Sequence, residues 1–452
     1  MRVYFQYPSV LEQNYLGNIS FTYNGEEYCK RIVLGLRELF KYFNDKNSKV
    51  FDLLIISAVI YNLDKFLERK RFSIEGWTRE ISVNIPVFNL EIWNENKANL
   101  VKAINFLSGD LWNITFEQSQ MRFKYRYSRR NRYRCLQRIR DISKFTLFSG
   151  GMDSLIGMID LIHNNPDDKL CLISHYDSGK ERTDQDAIKS LLENYNNYFN
   201  FQIKCGFGKI NKSKNTEQST RSRSLIFLGI GIYITNNLNT QAELIIPENG
   251  TISLNYPLSP SRRGSCSTRT THPTFIKYMN ELLVSLGLEN RIINPYQFKT
   301  KGEMIRDCSD NTLFNTLWQS SNSCGKRAHK YYWAVRSASH CGYCMPCIYR
   351  KIALHFSEIN NTDNYGNSIF NLAMDQLIES DSGKFNDLKA LLNFLKGNPN
   401  TSLIKQELIS NGLFVDENIN DYADIIVRTM RQARYWINDE ANESIKDNLI
   451  ND

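Results

Sequence analysis

The chain has 452 residues, 42% of them hydrophobic, and 56 Lys and Arg against 48 Asp and Glu, a net charge of +8. That length accommodates two or three domains with sizeable cores, and the mild basic excess suits anionic ligands such as nucleotides without arguing by itself for DNA or RNA. No run of about 18 apolar residues occurs, so no membrane span is expected, and Met1–Pro8 lacks the apolar core of a signal peptide, so a cytoplasmic protein is expected.

Residues 1–140 form an α+β domain by pattern. Phe51–Leu67 has helical apolar spacing over a length suited to a core helix. Ile81, Val83, Ile85 and Val87 alternate with polar residues, which predicts a strand with one buried face. Leu100–Leu107 reads as a short helix, and Asn113–Phe116 with Arg122–Tyr127 as strands that could pair in a hairpin. Arg122–Arg140 carries nine basic residues in nineteen, interleaved with Phe123, Tyr125, Tyr127 and Tyr133. Such a stretch is either a patch for nucleic acid or an acidic partner, or a solvated strand face with a basic linker. The second reading is favoured, because no RNA-binding module accompanies the charge.

Residues 141–357 alternate strand and helix, the pattern of a parallel sheet covered on both faces. Strands are predicted at Phe145–Phe148, Lys169–Ser174, Phe201–Phe207, Glu243–Pro247 and Arg291–Asn294. Helices are predicted at Leu155–Ile162, Asp184–Tyr195, Ser222–Thr235, Pro273–Leu286 and Lys301–Cys308. Between the first strand and the first helix stands Ser149-Gly150-Gly151-Met152-Asp153-Ser154. Two glycines permit a tight turn, and the turn aims backbone N–H groups, the helix dipole and three polar side chains at an anion. G-x-x-x-x-G-K-[ST] is absent, so this is not a Walker A loop. The string resembles the pyrophosphate loop of the ATP pyrophosphatase (PP-loop) superfamily, whose members cleave ATP between its α and β phosphates and leave AMP on a substrate oxygen.

Three later stretches are candidates for the same site. Arg221 and Arg223 stand at a helix start, a second anion site suited to a triphosphate or released pyrophosphate; the alternative is ordinary helix-capping arginines. Pro247-Glu248-Asn249-Gly250-Thr251, then Asn255–Pro273, make a long irregular segment dense in hydroxyls and arginines, either functional or a surface loop. In it Arg262, Arg263 and Arg269 could grip a carboxylate bidentately, while Thr270, Thr271 and His272 offer polar edges to a heterocycle. Lys301, at another helix start, can neutralise charge building on a phosphate.

Ten cysteines divide into six scattered thiols and one cluster, Cys324-x16-Cys341-x2-Cys344-x2-Cys347. Four thiolates at this spacing match a closed tetrahedral zinc site, with an iron–sulfur cluster as the competitor. Residues 358–452 read as a series of amphipathic helices, from Phe370–Glu379 to Tyr422–Trp436. They form a small domain or a cover for the preceding one, with a polar tail from Asn442 expected to fray.

The loop and the cysteine cluster together, over Phe145–Ala353, resemble the 7-cyano-7-deazaguanine synthases (QueC). Ser222–Phe227, Glu248–Gly250, Ser267–Pro273 and Thr300–Met304 resemble more closely the QatC-like branch found in bacterial anti-phage systems, as does the extra N-terminal domain. The resemblance implies a Rossmann-like α/β sheet of the adenine nucleotide alpha hydrolase type and ATP, Mg2+ and Zn2+ as cofactors. It also implies adenylation of a 7-deazaguanine carboxylate, with Asp153, Ser154, Lys301 and Arg223 in catalytic roles. Met345-Pro346 stands where QueC enzymes commonly carry an aspartate, and the Ser/Thr/Arg-rich loop replaces their base-reading loop. The implied acceptor is therefore either ammonia, giving a nitrile, or an amine on a partner protein of a defence operon. A PP-loop tRNA-modifying enzyme and a nucleotide-sensing scaffold are the other readings.

Overall fold

The computed structural model describes residues 1–74, 76–125, 127–192, 195, 197–208, 217, 219, 221–259, 269–361, 365–371, 373–379, 384–414 and 418–450. The protein is α/β, with 18 α-helices and twelve strands among the described residues. The strands are β1 (Arg2–Gln6), β2 (Val10–Leu11), β3 (Tyr15–Tyr23), β4 (Glu26–Leu34), β5 (Glu80–Val87), β6 (Leu111–Gln118), β7 (Arg122–Phe123), β8 (Ile142–Leu147), β9 (Lys169–Tyr176), β10 (Tyr198–Phe207), β11 (Glu243–Ile245) and β12 (Arg291–Ile293). Ten form one sheet in the order β12-β11-β8-β9-β10-β4-β3-β1-β5-β6.

The sheet is mostly parallel. β12, β11, β8, β9 and β10 are parallel throughout. β10 then meets β4 antiparallel, with Cys205 opposite Leu34. β4 and β3 form a hairpin, β3 pairs antiparallel with β1, and β1, β5 and β6 are parallel again. Ile81, Val83, Ile85 and Val87 are all buried, as their alternation predicts. The expected hairpin of Asn113–Phe116 with Arg122–Tyr127 does not form: β6 pairs with β5, and β7 pairs with β2 in a separate two-stranded sheet.

Chain contacts divide the described protein into two compact units that cut across the three segments read from sequence. Unit 1 comprises Met1–Ser149, Asn164–Ile246 and Thr268–Ile293, and holds the whole sheet. Its long core helix Lys49–Phe66 is buried almost all round, which suits an element with no solvent face. It packs on the helix Arg223–Leu238 where Gly229 has no side chain; a Cβ there would come within 2.6 Å of Ser57 Oγ. The second helix of the parallel block spans Gly179–Ser190, not Asp184–Tyr195, because Glu181 reaches back to accept from the N–H groups of Asp177 and Ser178 and fixes an earlier start.

Unit 2 comprises Gly150–His163, Pro247–Ser267 and Asn294–Asp452 and is helical. Its apolar core joins the helices Met345–Phe356, Asn386–Gly397 and Ile419–Glu440 through Ile348, Ile352, Leu391, Leu395, Ile426 and Ala433. The chain end does not fray at Asn442: Glu443–Ile450 is a helix, anchored by Ile445, which is fully buried.

Candidate functional site

β8 ends at Leu147, and the helix Met152–Asn164 begins five residues later. The turn between them needs Gly150, whose φ of +83° is left-handed and strained for any side chain. Within unit 2 the Gly150 carbonyl accepts from Asn322 N–H at 2.9 Å, and Met152 N–H donates to Ser323 Oγ at 3.4 Å. Ser154 Oγ donates to the Gly151 carbonyl at 2.9 Å. Met152, Asp153 and Ser154 are buried, while Ser149 is exposed.

Asp153 is the centre of the cluster. Lys301 Nζ donates to its Oδ1 at 2.5 Å and Asn249 Nδ2 to its Oδ2 at 2.7 Å. Asn249 is fixed from its other end, since its Oδ1 accepts from Ile252 N–H at 3.0 Å and caps the helix Gly250–Leu254. Lys301 opens the helix Lys301–Arg306, whose Thr300 cap exchanges bonds with Glu303 and takes a third from Gln432. Arg428 in turn pairs with Glu303. Burial opposes ionisation of Asp153, yet the Lys301 ammonium and the donated hydrogen bonds hold its carboxyl below the ordinary range. Glu248, half-buried beside it, is pushed well above the ordinary range by desolvation and the Asp153 charge, and hydrogen-bonds to Asp153. Two acidic side chains shifted in opposite directions and one lysine therefore share the site. A ligand bringing cations or further negative charge would change which of them holds the proton.

The structure thus joins Gly150, Gly151, Met152, Asp153, Ser154 and Lys301 within unit 2. Glu248 and Asn249, from the Pro247–Thr251 stretch expected near the loop, join it as the sequence suggests, three and four residues beyond the end of β11, the strand paired to β8. Asn322 and Ser323 complete the arrangement without a sequence signal of their own.

The remaining candidates lie in unit 1 or outside the described residues. Arg221 is buried, donates to the Ser108 carbonyl at 3.2 Å and lies over Trp77 at 4.0 Å. Burial, then Arg69, pushes its guanidinium down to about 10. It belongs to an interior charge network in which Arg69 and Arg79 share Asp64 and Asp110. Arg223, half-buried, pairs with Glu181 at 2.7 Å. Arg269 donates to the Phe106 carbonyl at 3.1 Å and lies over the Phe106 ring at 4.4 Å. His272 is fully buried against the same ring; its Nδ1 accepts from Thr274 N–H at 3.2 Å, and its Nε2 has no partner among the described residues. Burial, then Arg269, pushes the imidazole down to about 3, so it is neutral. Thr271 is buried and Thr270 half-buried. Arg262 and Arg263 lie outside the described residues.

Cys324, Cys341, Cys344 and Cys347 bring their four sulfurs within 4.8 Å of one another. Cys341 and Cys347 sulfurs are 3.7 Å apart, Cys344 and Cys347 sulfurs 3.4 Å. A zinc tetrahedron with bonds of about 2.3 Å has edges of about 3.8 Å. The set fits one metal ion such as zinc, whereas a four-iron cluster must seat its own iron and sulfide atoms between thiolates and needs them farther apart. The N–H groups of Tyr343 and Cys344 point at Cys341 Sγ at 3.5 and 3.3 Å, and Cys341 N–H at Cys324 Sγ at 3.3 Å, which supports thiolate charge. Gly342, with φ +84°, makes the knuckle possible: a Cβ there would come within 2.3 Å of the Asn367 carbonyl oxygen.

No helix among the described residues is long and apolar enough to cross a membrane. In comparisons with known proteins, no family model, no curated protein and no solved structure matches this chain.

Proposed function

We propose that the chain is an ATP-dependent, AMP-forming carbon–nitrogen ligase of the PP-loop kind, related to the QueC-like and QatC-like enzymes of its sequence resemblance. The observation that carries the reading is the buried Asp153–Lys301 pair in the first turn of a helix entered through left-handed Gly150. The sheet supports it. Taken in chain order, the five strands of the parallel block lie 3-2-1-4-5, the order of a doubly wound Rossmann-like sheet. Ligands of such sheets bind beyond the carboxyl ends of the strands, where the order reverses. Here it reverses between β8 and β11, and the chain continues from those strands into Gly150–Ser154 and Glu248–Asn249.

In this reading the amides of the Gly150–Ser154 turn and the Lys301 ammonium bind the phosphates of ATP and offset charge on departing pyrophosphate. The Asp153 and Glu248 carboxyls are the oxygen donors that would hold the accompanying Mg2+, which supplies charge neutralisation at the phosphates. The carboxylate of 7-carboxy-7-deazaguanine attacks the α-phosphorus, the bond to the β-phosphate oxygen breaks, and pyrophosphate leaves with its electron pair. An amine then attacks the acyl carbon, AMP departs, and the ammonium proton passes to solvent. The acceptor is an amine of a partner protein in a defence operon; free ammonia, leading to a nitrile, is the other outcome. The four cysteines act as structural metal ligands, so they do not supply the catalytic pair that a tRNA thiolase needs.

Incubation with ATP and 7-carboxy-7-deazaguanine should yield AMP and pyrophosphate in equal amounts, with a loss of 100-fold or more in Lys301→Ala. ADP with phosphate, or no turnover with folded protein, would overturn the reading. Mass spectrometry of co-expressed partner proteins separates conjugation from release of the nitrile.

A further inference from the structure

The basic stretch before β8 begins in the short strand β7, where Arg122 is exposed, but its larger part is not an irregular linker. Arg129–Arg138 is a helix of ten residues, five of them arginine, with no acidic residue in its first turn and no buried side chain. Ser128 caps it by accepting from Asn131 N–H at 3.2 Å. At 100° per residue, Arg132 and Cys135 fall on one side, and these two and Tyr133's neighbours behave accordingly: Arg132 and Cys135 are half-buried, whereas Arg129, Arg130, Arg134, Gln137 and Arg138 are exposed. Tyr133 lies among the exposed arginines and is 64% exposed.

This arrangement works against the helix's own stability. Arg130 with Arg134, and Arg134 with Arg138, are like charges four residues apart, which destabilises a helix. Arg129 and Arg130 place cations at the positive end of the dipole. No carboxylate within ion-pair distance relieves any of the five among the described residues; the neighbouring pairs are Lys124 with Glu12 and Arg140 with Asp141. The Lys46 ammonium, pushed down by burial and then by Arg132, adds to the same field. A solvated helix has no need of such a face, and a membrane-surface helix needs an apolar side that Leu136 alone does not make.

We infer that the exposed face of Arg129–Arg138 is a docking surface for an unpaired nucleic-acid strand. Arginine forks bind phosphates bidentately. An exposed aromatic between them is a stacking platform that only an unpaired base can use. A helix of ten residues is about 15 Å long and spans a few nucleotides. The inference is independent of the ligase chemistry.

The test uses the full chain and fluorescein-labelled 15-nucleotide oligo(rU) and oligo(dT), followed by anisotropy from 50 to 200 mM KCl. Four exposed arginines on phosphates give a slope of log affinity against log salt near −3, at about −0.7 per phosphate. Arg130→Ala with Arg134→Ala should bring the slope to roughly −1.4. Tyr133→Ala should weaken binding about fivefold or more at every salt without changing the slope. These side chains bury nothing and the paired arginines repel, so thermal unfolding midpoints should hold, or rise slightly in the double variant. No binding at 50 mM KCl, tighter binding to polyglutamate or phosphatidylserine vesicles, or equal binding to a 15-base-pair duplex with no effect of Tyr133→Ala, would each overturn the inference.

Discussion

Glu248 and Asp153 are chemically alike and are shifted in opposite directions, because the Lys301 charge and donated hydrogen bonds outweigh burial at Asp153, whereas desolvation and the Asp153 charge outweigh Lys301 at Glu248. Lys301 and Asn249 serve Asp153, and Glu248 then meets both low dielectric and a neighbouring negative charge. The sign of the consequence follows. A carboxyl whose folded pKa is raised favours folding below its unfolded value and loses that contribution as pH rises through the folded value. Glu248→Gln, which keeps the size without the titration, should therefore raise the unfolding midpoint at pH 8 and leave it nearly unchanged at pH 4. Denaturant titrations at the two pH values check this. The same variant should lose Mg2+-dependent turnover, since an amide is a poor substitute for a carboxylate on a hard cation. Asp153 has the reverse sign: its depressed pKa stabilises above the unfolded value and is lost as pH falls through the folded one.

Elements place these residues through close backbone approaches. Gly157, one turn into the helix that carries Asp153, lies against Pro247; an added Cβ would sit 2.3 Å from the proline Cβ. Gly157→Ala gains helix propensity of about 0.5–1 kcal/mol but must displace a ring beside Glu248 and Asn249, which costs about 1–3 kcal/mol. A net destabilisation of about 1 kcal/mol with reduced turnover is expected from urea titration and an AMP assay. The cysteine centre is the other such device. Cys344→Ser, or chelation, should remove one equivalent of metal by elemental analysis and lower hydrogen-exchange protection in Met345–Phe356, while β8 and β9 keep theirs. Much of this was legible in the sequence: the loop because strand and helix periodicities flank two glycines, the metal centre because its spacing is self-contained. The β3–β4 hairpin is also signalled in the sequence. Asn24-Gly25, with φ of +50° and +77°, is the turn residue pair that a two-residue hairpin demands. The approach of Pro247–Thr251 to the loop was legible as a stretch, but the hydrogen bond between Glu248 and Asp153 was not, and neither was the pairing of β7 with β2, because each is fixed by long-range packing rather than by local pattern.

At the scale of the whole molecule, the ten-stranded sheet of unit 1 continues from the parallel block into the N-terminal strands through the β10–β4 pairing, so residues 1–34 are part of one structure with β8 to β12. Its core encloses two neutral imidazoles. His175 is fully buried, with Nε2 against the Cys205 carbonyl at 3.0 Å, and burial, then Arg223, pushes it down to about 3, the same value as His272. Each is a base whose folded pKa lies below its unfolded one, so its stabilising contribution is complete above about 6.5 and is lost as pH falls toward 3. Between pH 6.5 and 5 ordinary carboxylates remain charged, and Glu248, raised well above their range, works in the opposite direction to the histidines as pH falls. Asp52, raised by burial, opposes the loss only nearer its own range. At pH 5 the cost is on the order of 2 kcal/mol per histidine. His272→Asn keeps an acceptor for Thr274 N–H and a favoured helix cap, and His175→Gln keeps a donor for the Cys205 carbonyl. In the double variant, the difference between urea midpoints at pH 7 and pH 5 should shrink to less than half that of the parent chain. An undiminished difference would mean that acid acts on unit 1 through other groups, with the buried carboxylates Asp64 and Asp110 of the interior arginine network the next to test.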